Sequence, residues 1–445
     1  MKKPFVLFAY SLLLTALLSA CGQSNKSETS ESAETATTEQ AEAPAAPDLP
    51  PPSESSTHFS NVVGWKDGET PKAPAGFVVT EYARDLENPR QAYVLPNGDV
   101  LVVESQTERK GVVKKVESAV SGRAKSENTG KSANRITLLR DANNDGKPEL
   151  REVFLENLNQ PFGMVLVGNT FYVANTDGVL TFPYQTGQTK ITAAGKAIRP
   201  LPAGGYNNHW TRNLIANADG SKIYISVGSG SNVGENGMEH EVRRACILEM
   251  NPDGSGERIY ASGLRNPVGM DWAPGTNTLW TAVNERDELG DDLVPDYITG
   301  VKEDGFYGWP YAYFGPTEDP RWKGKQPDMS LVTKTIAPDV ALGAHTASLG
   351  LTFYDKEAFP EKYRNGAFIG QRGSWNRSAF SGYKVVFVPF QNGKPSGKPE
   401  DFLTGFIIDD KDVHGRPVGV TVLPDGALLV ADDAGNRLWR VSANR

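Results

Sequence analysis

The stretch RPVGVTVLPDGALLVADD, residues 416–433, decides the fold class of this chain. It begins with a polar residue and a proline, continues as an apolar strand, turns at Asp425-Gly426 and returns as a second strand. An Asp-Gly pair between two apolar runs is typical of a tight β-hairpin, because such turns need residues that tolerate positive φ. The stretch therefore predicts two adjacent antiparallel strands.

The same kind of strand start occurs six times along the chain. Each copy places a polar or small pair, then proline or another residue, before an apolar strand and a turn. The copies begin at Asn88, Gln160, Trp210, Asn266, Ala347 and Arg416. Six all-β repeats predict a six-bladed β-propeller, and a β-sandwich or two barrels with the same turn chemistry is the alternative.

Strand-like segments at the two ends of the repeat region are expected to share one blade. GFVVTEYARDL, residues 76–86, precedes the first copy, and RLWRVSA, residues 437–443, follows the last. Their pairing would close the ring, which removes the exposed sheet edges of an open arrangement.

Composition excludes several function classes. The 445 residues contain 54 acidic residues against 46 lysines and arginines, a formal charge of -8. A negative chain without a long basic run is a poor electrostatic match for nucleic acid, so no nucleic-acid partner is expected. Two cysteines also cannot form a disulfide-rich scaffold or a cysteine-based zinc site.

The N-terminus predicts a lipoprotein signal peptide over residues 1–20. Two lysines precede an apolar run over residues 5–18, which is too short to span a bilayer. The run ends in LSAC, residues 18–21, which resembles the bacterial lipobox, in which the cysteine becomes lipidated. Lipidation at Cys21 would anchor the protein in the cell envelope, on the periplasmic face of the outer membrane in a Gram-negative host. The alternative is an ordinary signal peptide with a chance cysteine.

A disordered acidic and proline-rich linker is predicted over residues 21–57. Residues 22–57 contain no aromatic residue, valine, isoleucine or methionine, and carry seven acids against Lys26 alone. Such a segment cannot bury enough apolar surface to offset the entropy lost on ordering. Residues 58–445 are then the propeller domain.

The repeat predicts which residues meet at one end of the propeller. The first strand of each blade lines the central channel, so residues just before these strands should meet at one channel mouth. They include His209, Arg265, His345, His414 and Arg416. Polar groups converging on a concave mouth are the default candidate site, although ordinary turn residues are the alternative, most of all for His345 and His414.

A second candidate site is a calcium loop. Asp141, Asn143, Asp145 and Glu152, with Gly146 at the turn, match the calcium-loop pattern. The flanking segments are strand-like, so this is not an EF-hand, and an acidic hairpin tip without calcium is the alternative.

Seven segments of the chain are informative when they are taken together in their order. They are NHWTRN (208–213), SGLRNPVGM (262–270), NERDELGDDLVPDY (284–297), GFYGWPYAYFG (305–315), HTASLGLTFY (345–354), FIGQRGSWNR (368–377) and HGRPVGV (414–420). Together they resemble the sorbosone dehydrogenase branch of the PQQ-dependent sugar dehydrogenases, a group that includes soluble quinoprotein glucose dehydrogenase and aldose sugar dehydrogenase. The resemblance covers nearly all of residues 70–442 and implies a six-bladed propeller with its active site at a channel mouth.

The resemblance implies a catalytic pair and a set of cofactor contacts. His209 matches the family's base, which removes the proton of the substrate hydroxyl while hydride moves to the quinone. Arg265 and Asn266 match residues that contact the quinone oxygens, where reduction builds negative charge. PQQ carries three carboxylates that need further cations, and the candidates are Arg377, Arg416, Arg372 and Lys384.

Segment 284–292 matches the family's site for a catalytic Ca²⁺, bound largely through main-chain carbonyls. Glu285 and Arg286 would offer main-chain oxygen, with Asp291 and Asp292 as nearby acids. This ion would polarise the quinone carbonyl as a Lewis acid.

Two features depart from the family or have open roles. The glucose-oxidising relatives place an aspartate directly before the catalytic histidine, where this chain has Asn208, so the rate or substrate preference is expected to differ. The aromatic insertion with Trp309, Tyr311 and Tyr313 would either shape a sugar pocket or pack between blades.

The function hypothesis is a PQQ- and Ca²⁺-dependent dehydrogenase that oxidises a sugar or sugar aldehyde. The chain has no Cys-x-x-Cys-His haem motif, so electrons would leave to a separate quinone or cytochrome. A metal-dependent lactonase propeller is one alternative, although Glu87 is the one acid among the mouth positions. A non-catalytic propeller that binds carbohydrate or protein at the cell surface is the other.

Overall fold

Six sheets of mainly antiparallel strands form the propeller, one for each sequence repeat. The computed structural model describes residues 48–108, 126, 131–325 and 327–444. From the innermost strand outward, blade 1 contains Pro89–Val94, Val100–Glu104, Arg135–Arg140 and Leu150–Leu155; blade 2 contains Met164–Val167, Thr170–Asn175, Gly178–Pro183 and Lys196–Pro200; blade 3 contains Arg212–Ala216, Ile223–Val227, Cys246–Met250, Arg258–Ser262 and the short Gly305–Phe306.

The second half of the ring has the same order of strands. Blade 4 contains Pro267–Trp272, Leu279–Val283, Pro295–Gly300 and Val340–Ala344; blade 5 contains Thr352–Tyr354, Gly366–Gln371, Lys384–Gln391 and Glu400–Leu403, with Lys394–Pro395 extending the third strand's hairpin; blade 6 contains Pro417–Val422, Leu428–Asp432, Arg437–Ala443 and Phe77–Ala83. The remaining elements are the pairs Asn61–Val62 with Asp412–Val413 and Ala312–Tyr313 with Thr317–Glu318, the short helix Ser330–Thr333, and 3₁₀ turns at Met238–His240 and Glu361–Tyr363.

The predicted ring closure is confirmed. Phe77–Ala83 pairs antiparallel with Arg437–Ala443, so the outermost strand of blade 6 comes from the beginning of the domain. Because this ladder joins distant parts of the chain, the ring cannot open without breaking its hydrogen bonds.

The repeated glycine of the strand starts has a packing reason. A Cβ atom on Gly350 would lie 2.1 Å from the carbonyl oxygen of Val418 on the next blade's innermost strand. A Cβ on Gly269 would lie 2.5 Å from the backbone nitrogen of Leu351. Real side chains do not approach this closely, so adjacent innermost strands can pack only where the side chain is absent. Gly163 and Gly419 meet the next blade in the same way.

A buried apolar cluster joins the strand starts of four blades. Phe162, Val268, Leu349 and Val418 each directly precede the repeated glycine, and they form one buried cluster. Burying side chains of this size stabilises the fold by roughly 1.5–3 kcal/mol each. The cluster therefore helps to hold the innermost strands together.

The described part of the predicted linker, residues 48–57, lies against the propeller. The Ser53 amide donates to the Leu289 carbonyl at 3.0 Å, and the side chain of Asn376 donates to the Ser56 carbonyl at 2.9 Å. Leu49 packs against a core cluster. The predicted signal peptide, Cys21 and the rest of the linker lie outside the described residues. No helix in the described ranges is long and apolar enough to cross a membrane.

Candidate active site

His209 and Arg265 lie at the same channel mouth and are joined through Ser229. The His209 Nδ1 atom is 2.8 Å from the Ser229 carbonyl oxygen, and the Ser229 amide donates to the Arg265 carbonyl at 2.8 Å. A Cβ on Gly228 would lie 2.6 Å from the His209 Cβ and 2.3 Å from the Asn266 Oδ1. The Gly-rich loop between the second and third strands of blade 3 therefore lets both strand starts approach.

The contacts of His209 determine its tautomer. A carbonyl oxygen is only an acceptor, so Nδ1 must carry a hydrogen and donate to Ser229, which leaves the Nε2 lone pair as the proton acceptor. Burial, assisted by the positive charge of Arg265, lowers the pKa of His209 to about 3. The imidazole is therefore neutral at physiological pH.

Arg265 is a fixed, buried cation with only 1% of its surface exposed. Its Nη1 donates to Asn284 Oδ1 at 3.1 Å and to the Glu285 carbonyl at 2.5 Å. Its Nη2 donates to Asn232 Oδ1 at 2.9 Å and pairs with Asp287 Oδ2 at 3.1 Å. These contacts hold the guanidinium in place before any ligand binds.

Asp287 and His345 extend this network, and sequence reasoning missed Asp287. His345 Nε2 is 2.7 Å from the Gly290 carbonyl oxygen, and Nδ1 is 3.3 Å from Asp287 Oδ1. Burial lowers the pKa of His345, but the hydrogen bond and charge of Asp287 outweigh it, so the pKa is raised. Burial likewise raises the pKa of Asp287, and the charge of Arg265 with the His345 contact brings it below its ordinary value.

Three arginines surround one carboxylate on the blade 5, 6 and 1 side of the mouth. Arg90 Nη1 and Arg372 Nε lie 2.5 and 2.6 Å from Asp433 Oδ2. Arg416 donates to the Gly373 carbonyl at 2.8 Å, and its charge also acts on Asp433. Burial raises the pKa of Asp433, but the charges of Arg372 and Arg90 outweigh it and lower that pKa. Sequence reasoning missed Arg90, although it stands in the first repeat. We call these three arginines the arginine cluster.

Arg377 and Lys384 do not join the arginine cluster. Arg377 donates to the main-chain oxygen of Asp291 at 2.7 Å and to Asp292 Oδ1 at 3.1 Å. Lys384 begins the third strand of blade 5 and pairs with Asp401 at 2.6 Å on the outer strand. Arg377 is thus placed with the predicted calcium segment, and Lys384 lies away from the mouth cluster.

The predicted calcium segment is rich in oxygen but already hydrogen-bonded. The Glu285 and Asp291 carbonyls accept from Arg265 and Arg377, while the Arg286 side chain pairs with Asp319 at 3.0 Å. A carbonyl oxygen has two acceptor sites, so each keeps one for a cation. Burial raises the pKa of the Glu285 carboxyl to about 7.

The aromatic insertion supports the loop that holds Arg265. Trp309 donates through Nε1 to the Asn232 carbonyl at 2.9 Å, and Trp322 donates to the Val233 carbonyl at 2.8 Å. Tyr311 and Tyr313 are buried. Tyr313 belongs to a buried cluster that includes Ile247 of blade 3 and Tyr297 of blade 4, so this part of the insertion packs between blades.

His414 and Glu87 lie outside the His209 network. His414 stacks on Trp65 with ring centroids 4.3 Å apart, and Glu87 pairs with Arg135 at 3.1 Å.

The predicted calcium loop lies at the blade ends opposite the mouth. Carboxylate oxygens of Asp141, Asp145 and Glu149 lie within 4.8 Å of one another, and Asn143 Oδ1 accepts from the Asp145 amide at 2.8 Å. Glu152 is not in this group, because the strand begins at Leu150 and places Glu152 opposite Leu138 in the ladder. Glu149 takes the expected place of Glu152, and calcium binding here stays a prediction.

A pocket of about 390 Å³ opens beside His209. Asn208 and Trp210, which flank His209 in sequence, line it together with residues of the blade 1 and blade 2 loops. We call this the flanking pocket.

The amino-acid sequence is similar to the sequences of two known proteins. An uncharacterized protein of Borreliella burgdorferi is 30% identical over 298 residues, which cover 64% of this chain and 76% of that protein. The Escherichia coli aldose sugar dehydrogenase YliI is 26% identical over 272 residues, 57% of this chain and 65% of that enzyme.

Solved structures show the same fold at low identity. The holo form of the pyranose dehydrogenase PQQ domain from Coprinopsis cinerea superposes with a TM-score of 0.66 at 18% identity, covering 86% of this chain and 100% of that chain. A calcium structure of the Trichoderma reesei family AA12 enzyme also gives 0.66 at 18% identity, covering 84% and 97%. The profile of one protein family matches residues 72–433. The chain therefore belongs to the family described as a domain of unknown function, DUF7133.

Proposed function

We propose that this protein is a PQQ-dependent dehydrogenase that oxidises a sugar at a hemiacetal or aldehyde carbon. The observation that carries the proposal is the pairing of a neutral His209 with a buried cationic Arg265, joined through one residue at one mouth. The Escherichia coli aldose sugar dehydrogenase and the Coprinopsis cinerea pyranose dehydrogenase PQQ domain, to which the chain is similar, support the same reaction class.

The mouth fits a planar polycarboxylate such as PQQ. Three guanidinium groups, those of Arg90, Arg372 and Arg416, lie around Asp433 at the mouth, and guanidinium groups bind carboxylates strongly. The buried Asn266 Oδ1 atom has no hydrogen-bond partner in the part of the chain that is described, so the side chain remains available to a ligand. When bound, PQQ would supply a two-electron acceptor for hydride.

The side chains of this chain would divide the remaining work. His209 Nε2 would take the proton of the substrate hydroxyl, since Ser229 keeps the hydrogen on Nδ1. Arg265, held by Asn232 and Asp287, would stabilise negative charge that develops on an oxygen beside it. Because these donors are fixed in advance, little reorganisation is needed during the reaction.

We further propose a calcium ion at segment 284–292. Main-chain oxygens of Glu285, Arg286 and Asp291, with the carboxylates of Asp291 and Asp292, are hard oxygen donors of the kind Ca²⁺ prefers. The ion would supply Lewis-acid polarisation when bound. Removal of calcium with EDTA is expected to lower the melting temperature of the protein loaded with PQQ, and calcium but not magnesium should restore it.

The cellular setting stays a prediction. Lipidation at Cys21 would hold the enzyme at the cell envelope, and electrons would pass to a separate quinone or cytochrome. Mass spectrometry of the purified mature protein would show the mass of a diacylglycerol-modified N-terminus.

Reconstitution tests the proposed function. Apo-protein is titrated with PQQ, with calcium present, and dye reduction is followed with a panel of aldoses and aldosones. We expect PQQ-dependent reduction that falls by about 10²–10⁴-fold in a His209→Gln variant, the usual contribution of a positioned base. PQQ binding by that variant, measured by its absorbance, should persist. A matched His240→Gln variant, which changes an exposed histidine, should react like wild type. Absence of PQQ binding by the wild type would refute the proposal.

A further inference from the structure

The peptide group between Ser229 and Gly230 joins the proposed base to a buried acid. Its carbonyl oxygen, which belongs to Ser229, lies 2.8 Å from His209 Nδ1 and accepts the hydrogen of that nitrogen. Its N–H group, which belongs to Gly230, donates to Glu241 Oε2 at 2.7 Å. His209 and Glu241 are therefore bound to the two ends of one amide.

Glu241 is held against the same loop of blade 3. It directly follows the 3₁₀ turn Met238–His240 and is only 6% exposed. Its Oε1 atom accepts from the amide of Ser231 at 2.9 Å and from the hydroxyl of that residue at 2.5 Å. A Cβ atom on Gly230 would lie 3.2 Å from Glu241 Oε1. The glycine therefore gives the carboxylate room beside the backbone.

Hydrogen bonds at opposite ends of one amide strengthen each other. The carboxylate of Glu241 attracts the hydrogen of the Gly230 amide, which places more negative charge on the Ser229 carbonyl oxygen. That oxygen then accepts more strongly from His209 Nδ1, most of all when the imidazole has taken up a proton and is positively charged. Burial makes such polarisation stronger than it would be in water.

We propose that Glu241 is a positioning residue for His209 and acts through the peptide group of residues 229–230. It orients the imidazole with a hydrogen on Nδ1, and it stabilises the imidazolium that forms when Nε2 takes the proton of the substrate hydroxyl. The proton moves only from the substrate to Nε2, and none passes along the peptide. This inference rests on the proposed function, because it assigns Glu241 a part in that reaction.

Nuclear magnetic resonance of the PQQ-free protein tests the link without any reaction. The full chain is labelled with ¹⁵N in its histidines and studied at neutral pH, and the His209 signals are identified by their loss in His209→Gln. We expect one tautomer in wild type, with its Nδ1–H signal far downfield. Glu241→Gln should move that signal upfield, because the carbonyl becomes a weaker acceptor. Glu239→Gln, at an exposed glutamate two residues earlier, should leave the signal in place.

Steady-state kinetics of the protein loaded with PQQ measures the effect on the reaction. Glu241→Gln should lower kcat and kcat/KM together by about 10–100-fold, the usual cost of removing a carboxylate that supports a histidine. KM for the sugar and the affinity for PQQ should stay as in wild type. Glu241→Asp keeps the negative charge on a shorter side chain and should retain more activity than the glutamine variant. Glu239→Gln should react like wild type.

The measurements distinguish this role from one that only holds the loop. A holding role predicts that Glu241→Gln weakens PQQ binding or raises KM, and that Glu241→Asp is no more active. That pattern would overturn the inference, as would an unmoved Nδ1–H signal or a kcat within about twofold of wild type in Glu241→Gln. If the glutamine variant does not fold, wild type decides, because a mixture of His209 tautomers would also overturn it.

The inference and the proposed function can fail separately. An Nδ1–H signal that moves in Glu241→Gln, in a protein without PQQ-dependent dye reduction, would support the link between Glu241 and His209 and refute the dehydrogenase. Dye reduction that needs His209 but is unaffected by Glu241→Gln would support the dehydrogenase and refute the role of Glu241.

Discussion

Replacing His209 with glutamine should make the cofactor-free protein relatively more resistant to acid than wild type. Burial and the neighbouring Arg265 lower the pKa of His209 in the folded protein to about 3, whereas an unfolded histidine titrates near 6.5. As the pH falls below 6.5, His209 gains a proton in the unfolded chain but stays unprotonated in the folded protein. Wild type therefore loses stability between pH 6.5 and 3 through this residue, and glutamine, which does not titrate, removes the loss.

The two pKa values set the size of the effect. At pH 5 the unfolded histidine is about 97% protonated and the folded one about 1%, which corresponds to about 2 kcal/mol of lost stability. At pH 8 both states are neutral and the contribution is close to zero. Any other consequence of the substitution is present at both pH values. The free energy of unfolding of the variant minus that of wild type should thus be about 2 kcal/mol more favourable at pH 5 than at pH 8.

Urea unfolding, followed by tryptophan fluorescence at the two pH values, measures this difference. His240→Gln, at an exposed site, serves as the control. The difference between its free energy of unfolding and that of wild type should be the same at pH 5 and at pH 8. A gap between His209→Gln and wild type that is the same at pH 5 and pH 8 would refute the buried, neutral state of His209. His209 would then not be the neutral proton acceptor that the proposed reaction needs.

Three further substitutions probe other parts of the molecule. Asp287→Asn leaves Arg265 and protonated His345 without their carboxylate and should cost about 3–5 kcal/mol in urea unfolding at pH 6, and this cost should fall as the pH rises and His345 loses its proton. Arg372→Gln should weaken PQQ binding about 10-fold or more in an absorbance titration, since a hydrogen bond to a charged group contributes about 1.5–3 kcal/mol, whereas Lys384→Gln should bind PQQ like wild type. Gly350→Ala should lower the free energy of unfolding by at least about 3 kcal/mol, because its Cβ would meet backbone that cannot move aside; Gly204→Ala, with open space around it, should change it by under about 0.5 kcal/mol.

The repeat was the part of the sequence from which most could be predicted. It places His209 and Arg265 at equivalent positions of adjacent blades, so their meeting at one mouth follows from the blade geometry alone. Arg90 stands in the first copy, two residues after Asn88, and could have been found by the same reasoning. Its role depends on Asp433, which follows the second strand of blade 6, and no local pattern joins the two.

The roles of the loop residues could not be predicted from the sequence, because their side chains contact partners from other blades. Asp287 lies within a motif that was recognised, but only the fold shows its carboxylate between Arg265 and His345. The spacing of the calcium-loop pattern selected Glu152. In the structure Glu152 lies within the strand that begins at Leu150, and Glu149, just before that strand, lies beside Asp141 and Asp145 instead. The sequence offered Arg377 and Lys384 as cations for the PQQ carboxylates. The structure shows that Arg377 donates to a carbonyl of the calcium segment and that Lys384 pairs with a carboxylate on the outer strand of blade 5.

The sequence by itself determined the number of blades, the closure of the ring and the end of the ring that carries the polar residues. It could do so because hairpin turns, strand alternation and the repeated glycine act over short stretches of chain. Which charges neutralise one another, which histidine stays neutral and where a pocket opens were decided only by the tertiary structure. The physical reason is that pKa values and pockets depend on burial and on charges within a few ångströms, and in a propeller those neighbours come from blades far apart in the chain.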